Sequence, residues 1–267
     1  MAYKRKHLSP VEAIANGWKC RAHLKSDHQL MPAPGAKPAG VVWQGQGTYE
    51  VYALESCVPY RWSCGAAQED RKAVAAYAKR LLGSPVVVLD VETTGLGRSD
   101  EVCEIAILDA EGVPLMDTLV RPSQPIPDEA SWIHGISNAM VASAPSWPEL
   151  AAEYAAIVAG KTVIAYSADF DKRLLRQTHE LYGLPVPPIE TACAMRLYAQ
   201  WTRIRERGRD EWRWSKLIEA AEACGVLESG AHRALADARM ALGVLRFLER
   251  RQNGRLPARR KSAGQAG

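Results

Sequence analysis

The sequence predicts an α/β fold: a mixed β-sheet with helices packed on it, preceded by a smaller accessory module. Three observations carry this prediction. The apolar run Val86-Val87-Val88-Leu89 continues into Asp90-Val91-Glu92 and reads as a buried strand. The strand-like runs Val102 to Leu108 and Pro114 to Val120 are separated by little more than the turn Asp109-Ala-Glu-Gly, so they are antiparallel neighbours. After them the pattern alternates, with an amphipathic helix from Glu149 to Ala159, a strand from Thr162 to Tyr166 and a helix from Asp171 to Tyr182. The rest reads as helical, from Thr191 to about Arg207, Ser215 to Cys224 and Ala234 to Arg251. Antiparallel strands followed by strand–helix units give a mixed sheet with helical layers.

Residues 1–66 read as a separate module with no function legible in them. Ser9 is a good N-cap for a helix over Pro10 to Leu24, Met31 to Gly40 is rich in turn formers, and Thr48 to Leu54 is strand-like. A small core there would bury Trp18, Trp43 and Trp62, three of the eight tryptophans. Residues 67–84 read as an Ala-rich helical linker ending in Gly83-Ser84-Pro85, residues 85–251 as the main domain and residues 252–267 as a basic flexible tail.

With 267 residues, 47% apolar and 24% charged, the chain is long enough for one large domain with an appendage. The net charge of +4 hides an asymmetry. Residues 1–40 carry seven Lys/Arg against two acids and residues 246–261 seven against one, which leaves residues 41–245 net −7. Basic ends around an acidic middle suit a protein whose carboxylates hold cations and whose extensions hold phosphates; solvated basic tails are the plainer alternative. No stretch has the apolar length of a membrane span and the N-terminus lacks a signal-peptide core, so the expected location is cytoplasmic, with no membrane partner. The six scattered cysteines read as free thiols rather than a disulfide framework. Zinc binding by Cys20, His23, His28, Cys57 and Cys64 is a weaker reading, because the spacing matches no common knuckle.

In a strand, residues i and i+2 point to one face, so Asp90 and Glu92 aim at one place from a buried position. Their repulsion must be relieved by a proton or a cation, and a hard divalent metal suits oxygen ligands. Asp171, and His232 with Asp237, supply what a two-metal phosphodiester-cleaving site would need. Each also has a plainer reading. The strand pair would serve as a salt-bridge partner, Asp171 as a helix N-cap with Asp169 as its competitor, and His232 as a surface histidine.

Four segments resemble the DnaQ-like, or DEDDh, 3′-to-5′ exonucleases, among them the proofreading epsilon subunits and ribonuclease T. They are Leu89-Asp90-Val91-Glu92-Thr93-Thr94-Gly95, Ile133-His134-Gly135-Ile136, Ile164-Ala-Tyr-Ser-Ala-Asp-Phe-Asp171 and His232-Arg-Ala-Leu-Ala-Asp237-Ala-Arg. The similarity runs from about Val86 to Leu248. It implies an RNase H-like mixed five-stranded sheet, metal ligands Asp90, Glu92, Asp171 and Asp237 for two Mg²⁺ or Mn²⁺, and His232 as general base. It also implies that Thr93, Gly95 and Leu96 meet the terminal nucleotide, Gly95 by permitting close approach and Leu96 as a wedge against a base. His134 is either a contact near the scissile nucleotide or a packed helix-end histidine. Where many relatives carry His-Asn, this chain has Tyr166-Ser167.

Arg203, Arg205, Arg207, Arg209 and Arg213 interleave with Trp201, Trp212 and Trp214, a composition that suits a substrate-guiding flap. The leading expectation is a metal-dependent exonuclease releasing 5′-mononucleotides from single-stranded DNA or DNA 3′ ends, alone or with a polymerase or repair partner. The alternatives are an exoribonuclease of the ribonuclease T or oligoribonuclease type, acting on RNA, and a nucleic-acid-binding, polymerase-associated module.

Overall fold

The chain divides into two units, Met1–Ala67 and Gln68–Gly267. The structure, a computed structural model, describes residues 7–21, 23–24, 30–33, 35–44, 47–59, 65–204 and 212–254. In the first unit β1 (His7–Leu8), β4 (Gly40–Gln44), β5 (Gly47–Tyr52) and β2 (Lys19–Cys20) form one sheet in that order, and β3 (Leu30–Pro32) pairs with β6 (Cys57–Pro59). Helix α1 (Pro10–Ala15) starts at a capping box in which Ser9 and Glu12 satisfy each other's backbone N–H groups. It ends well short of the expected Leu24. The Asn16 side chain bonds the Glu12 carbonyl at 2.7 Å and Gly17 takes a φ of +68°, turning the chain into β2. Ala13, Val42 and Val51 make the small core, with Trp18 against it, whereas Trp62 lies outside the described residues. Cys20 Sγ lies 3.1 Å from His23 Nδ1, and Cys57 donates to the Ala53 carbonyl. Among the described residues these make no three-ligand cluster; His28 and Cys64 lie outside them.

The second unit opens within α2 (Gly65–Leu82) and continues through β7 (Val86–Thr93), β8 (Val102–Leu108) and β9 (Pro114–Leu119). Helices α3 (Asp128–His134), α4 (Asn138–Val141) and α5 (Trp147–Val158) lead to β10 (Thr162–Ala165), α6 (Ala168–Leu181), β11 (Glu190–Cys193), α7 (Ala194–Thr202), α8 (Leu217–Cys224) and α9 (Ala234–Glu249). The sheet order is β11-β10-β7-β8-β9, with the β7–β8 and β8–β9 pairs antiparallel and the β10–β7 and β10–β11 pairs parallel. Glu190–Cys193 falls partly in the stretch read as helical from Thr191. Its in-register ladder with Thr162–Ala165 makes it an edge strand, and the helix starts only at Ala194.

Strand β7 is central and covered on both faces, which explains its uninterrupted apolar run. Val86 and Val88 join the core under α2, α7 and α9; Val87, Leu89 and Val91 join the core under α5 and α6. Helix α2 is therefore a layer of this unit rather than the linker expected over 67–84, because Val74, Ala75, Ala78 and Leu81 are buried in the first of these cores. Helix α9 reaches the sheet closely through buried Ala234, Ala238 and Ala241. Among the described residues no helix is long and apolar enough to cross a membrane.

Gly243 sits on the outer side of α9, where a Cβ would lie 2.9 Å from Val226 Cβ. Replacing glycine by alanine in a helix gains up to about 1 kcal/mol in propensity, but overpacking costs about 1–3 kcal/mol. Gly243→Ala should therefore lower the urea midpoint without changing the slope of the transition, despite the better helix former.

Candidate active site

Asp90 and Glu92 continue the face of Val86 and Val88, the face on which α9 packs. The first turn of α9 carries Asp237, and one carboxylate oxygen from each of Asp90, Glu92 and Asp237 lies within 4.8 Å of the others. Asp171 comes from the opposite face. It stands in the first turn of α6, is buried, and accepts a hydrogen bond from the Val91 N–H between the two strand carboxylates. Pairing of β10 with β7 ends at Ile164 against Val88, which leaves the Val91 N–H to this carboxylate. The four acids thus meet at the carboxyl end of β7.

Electrostatics make this cluster unstable as four bare anions. Burial, then the charges of Asp171, Asp237 and Glu92, push Asp90 well above the carboxylate range. Burial and the Asp237 charge raise Glu92 to about 8, against a smaller opposing pull from the Arg233 guanidinium. Burial raises Asp171 to about 7 although its own N–H and that of Val91 favour the anion. Asp237 is raised by burial as well, opposed by the His232 N–H. An all-oxygen, anionic donor set in this state fits a hard divalent cation, which would replace the protons that the metal-free cluster retains.

His232 is exposed, has a φ of +64°, and donates its backbone N–H to Asp237 Oδ1 at 3.1 Å. Two residues that sequence reasoning missed hold this turn. Glu104, opposite Glu92 in the β7–β8 register and buried, accepts from Arg233 through Nε and Nη2 and from the Ala234 N–H at 2.9 Å. An acid inside the otherwise apolar run Val-Cys-Glu-Ile-Ala-Ile-Leu was the available signal.

Thr93 is buried and its hydroxyl donates to the Gly95 carbonyl at 2.8 Å. Gly95 is required by Asp100, whose carboxylate accepts from Thr94 Oγ1 and the Gly97 N–H; a Cβ at Gly95 would lie 2.7 Å from Asp100 Oδ2. Leu96, at 77% exposure, projects freely. His134 ends α3. It is buried, its Nδ1 accepts from the Ile136 N–H at 3.0 Å, and its ring bonds the Thr93 backbone. This pins α3, with exposed Trp132 and Ile133, to the end of β7. Asp169 is exposed and paired with Arg196 at 2.6 Å, leaving Asp171 to the cluster. Tyr166, at the departure from His-Asn, is buried and donates its hydroxyl to the Ser215 carbonyl. Of the expected flap, residues 205–211 lie outside the described residues; Trp201 is core, Arg203 stacks on Trp212, and Trp214 is exposed.

Sheet order and flanking helices define an RNase H-like fold, with an acidic cluster at the end of its central strand. The RNase T exonuclease family matches residues 87–245, more than half of the chain, and the chain belongs to that family. It is 42% identical over 180 residues to the uncharacterized exonuclease CP81 of Escherichia phage 186, covering 64% of this chain and 92% of that protein. It is 39% identical over 104 residues to a DNA polymerase III subunit epsilon-like protein of Rhodobacter capsulatus, covering 36% of this chain but only 15% of that protein. Its fold is similar to that of Escherichia coli exonuclease I in a complex with single-stranded DNA, with a TM-score of 0.54 at 18% identity over 63% of this chain and 41% of that one. The protein is a phosphodiester hydrolase acting at nucleic-acid ends.

The raised carboxyl groups have a consequence for stability. A group that titrates higher in the folded than in the unfolded state leaves the folded protein binding more protons, so stability falls as pH rises from the ordinary carboxylate range to about 8, the value for Glu92. The melting temperature in chelator should drop across that interval. Added Mg²⁺ should raise it more at pH about 8 than at pH about 5. A cation effect equal at both ends, measured by calorimetry, would contradict the cluster electrostatics.

Proposed function

We propose that the chain is a divalent-metal-dependent 3′-to-5′ exonuclease that releases 5′-mononucleotides from DNA 3′ ends, in a proofreading or repair setting. The convergence of Asp90, Glu92 and Asp237 within 4.8 Å, with Asp171 bonded to Val91 between the strand acids, carries this reading. These four residues would hold two Mg²⁺ or Mn²⁺, which when bound supply charge neutralisation at the reacting phosphoryl group. His232 is the proton acceptor for the attacking water. It is exposed to solvent, and its backbone is tied to Asp237. The 3′-terminal nucleotide lies along the loop after β7, where Leu96 offers an apolar side chain to a base. The identity to an epsilon-like protein supports DNA as the substrate and a polymerase as a partner.

With a 3′-labelled single strand, the protein should release mononucleotides in Mg²⁺ or Mn²⁺ and be inert in chelator. Matched DNA and RNA strands in the same assay decide between the two substrates. A bulky 3′ block should stop digestion where a 5′ block does not, and cutting of a circular single strand would sink the exonuclease polarity.

Turnover separates the general base from the binding groups. His232→Ala should lower kcat by about 10² to 10⁴ with affinity for the strand nearly unchanged, because a base acts in the transition state. Asp90→Ala should abolish activity together with cation binding, read by calorimetric titration. Near-normal turnover in His232→Ala would remove His232 from that role.

A further inference from the structure

A cleft of about 740 Å³ lies between α9, the connection from α8 into Gly225–Glu228, and the β8–β9 turn at Glu111 and Gly112. Four arginines line it, Arg239, Arg246, Arg250 and Arg251, against two acids, Glu111 and Glu228. Arg239, Arg246 and Arg250 follow one another at intervals of two turns and one turn, so they form a row on one side of the helix. At about 1.5 Å per residue the row covers about 16 Å, a length over which one strand of a duplex presents about five phosphates. Asp237 and Arg239 are about 200° apart around α9. The row is therefore on a different side of the helix from the carboxylate cluster.

The fold uses little of this positive charge. Arg239 approaches Glu228 only to 3.9 Å with both side chains more than 40% exposed, an arrangement worth about 0–1 kcal/mol. Arg246 bonds the Ala110 carbonyl through one nitrogen. Arg251 has a buried Nε without a hydrogen-bond partner. Its guanidinium covers Phe247 at 4.7 Å, and the Trp201 ring stands at 82° to the same ring with the centroids 6.5 Å apart. Beyond the cleft the sequence continues with Arg255, Arg259, Arg260 and Lys261 and no acid.

We propose that this cleft binds the sugar–phosphate backbone of a nucleic-acid strand, as a sequence-independent second anchor for substrate lying away from the end being digested. The inference rests on nucleic acid as the substrate under Proposed function.

The test is strand binding by fluorescence anisotropy in chelator, with single strands of about five and about 40 nucleotides, comparing wild type with Arg239→Glu/Arg250→Glu. The charge-reversed protein should bind the long strand at least about 10-fold more weakly and show a shallower salt dependence, by about 0.7–0.9 for each phosphate that is no longer neutralised. Arg239→Lys/Arg250→Lys should retain affinity within about threefold, and Mg²⁺-dependent hydrolysis of the short strand should be unchanged in both variants. Unchanged long-strand affinity, or an equal weakening on the short strand, would overturn the proposal. So would a polyglutamate peptide that binds wild type more tightly than DNA and ceases to bind on charge reversal, since the cleft would then serve an acidic protein segment. If wild type binds the long strand through these arginines yet digests neither DNA nor RNA, the exonuclease reading fails and the cleft assignment stands.

Discussion

Asp90, Glu92, Asp171 and Asp237 crowd the end of one strand, and the mutual repulsion of their carboxylates is the constraint around which the second unit is arranged. A protein interior does not tolerate several unpaired anions, so the metal-free cluster holds protons and a cation-bound one need not. That condition depends on the apolar layers on either side of β7. The core built on Val86 and Val88 seats α9, and the core built on Leu89 and Val91 seats α6, so burial of ordinary hydrophobic side chains drives the acids together. At about 1.5–3 kcal/mol for each large apolar side chain buried, packing of this extent outweighs the electrostatic cost.

The Glu104–Arg233 pair performs a second, local task. His232 sits in the left-handed region, which for a residue other than glycine costs on the order of 1–3 kcal/mol. Flanking bonds hold it there: Asp237 accepts the His232 N–H, and buried Glu104 accepts both from the Arg233 guanidinium and from the Ala234 N–H. A hydrogen bond to a charged group contributes about 1.5–3 kcal/mol, so this set suffices to hold one strained residue. The same guanidinium lies near enough to Glu92 to moderate the charge of the cluster. The turn that carries the histidine is thereby tied to β8 next to the cluster rather than left to solvent.

The loop after β7 is shaped from within. Asp100 fills the space beside Gly95 and binds Thr94 and Gly97, and His134 clamps the Thr93 backbone from α3. Thr93 and His134 bond within the protein, while the apolar side chains Leu96, Trp132 and Ile133 stay exposed. Leu96 lies on this braced loop, and Trp132 and Ile133 lie on α3.

Much of this was legible in the chain itself, because strand alternation and apolar runs are local properties. The period-2 pattern places Asp90 and Glu92 on one face, and the short Asp109 turn makes β8 and β9 antiparallel. The fourth acid, Asp237, stands at a fixed offset from His232 that the family motif already carries. What local pattern could not decide was set by contacts distant in sequence. The hydrophobic face of α2 reads equally as a linker helix until Val74 and Ala78 find the sheet, and Glu190–Cys193 becomes a strand only because β10 offers an edge. Whether His134 faces a ligand or the core depends on Thr93, some forty positions away, and the seating of His232 depends on Glu104, on a strand more than a hundred residues earlier. Each of these is a hydrogen bond or a burial between segments that no periodicity relates, so only the folded chain could determine it.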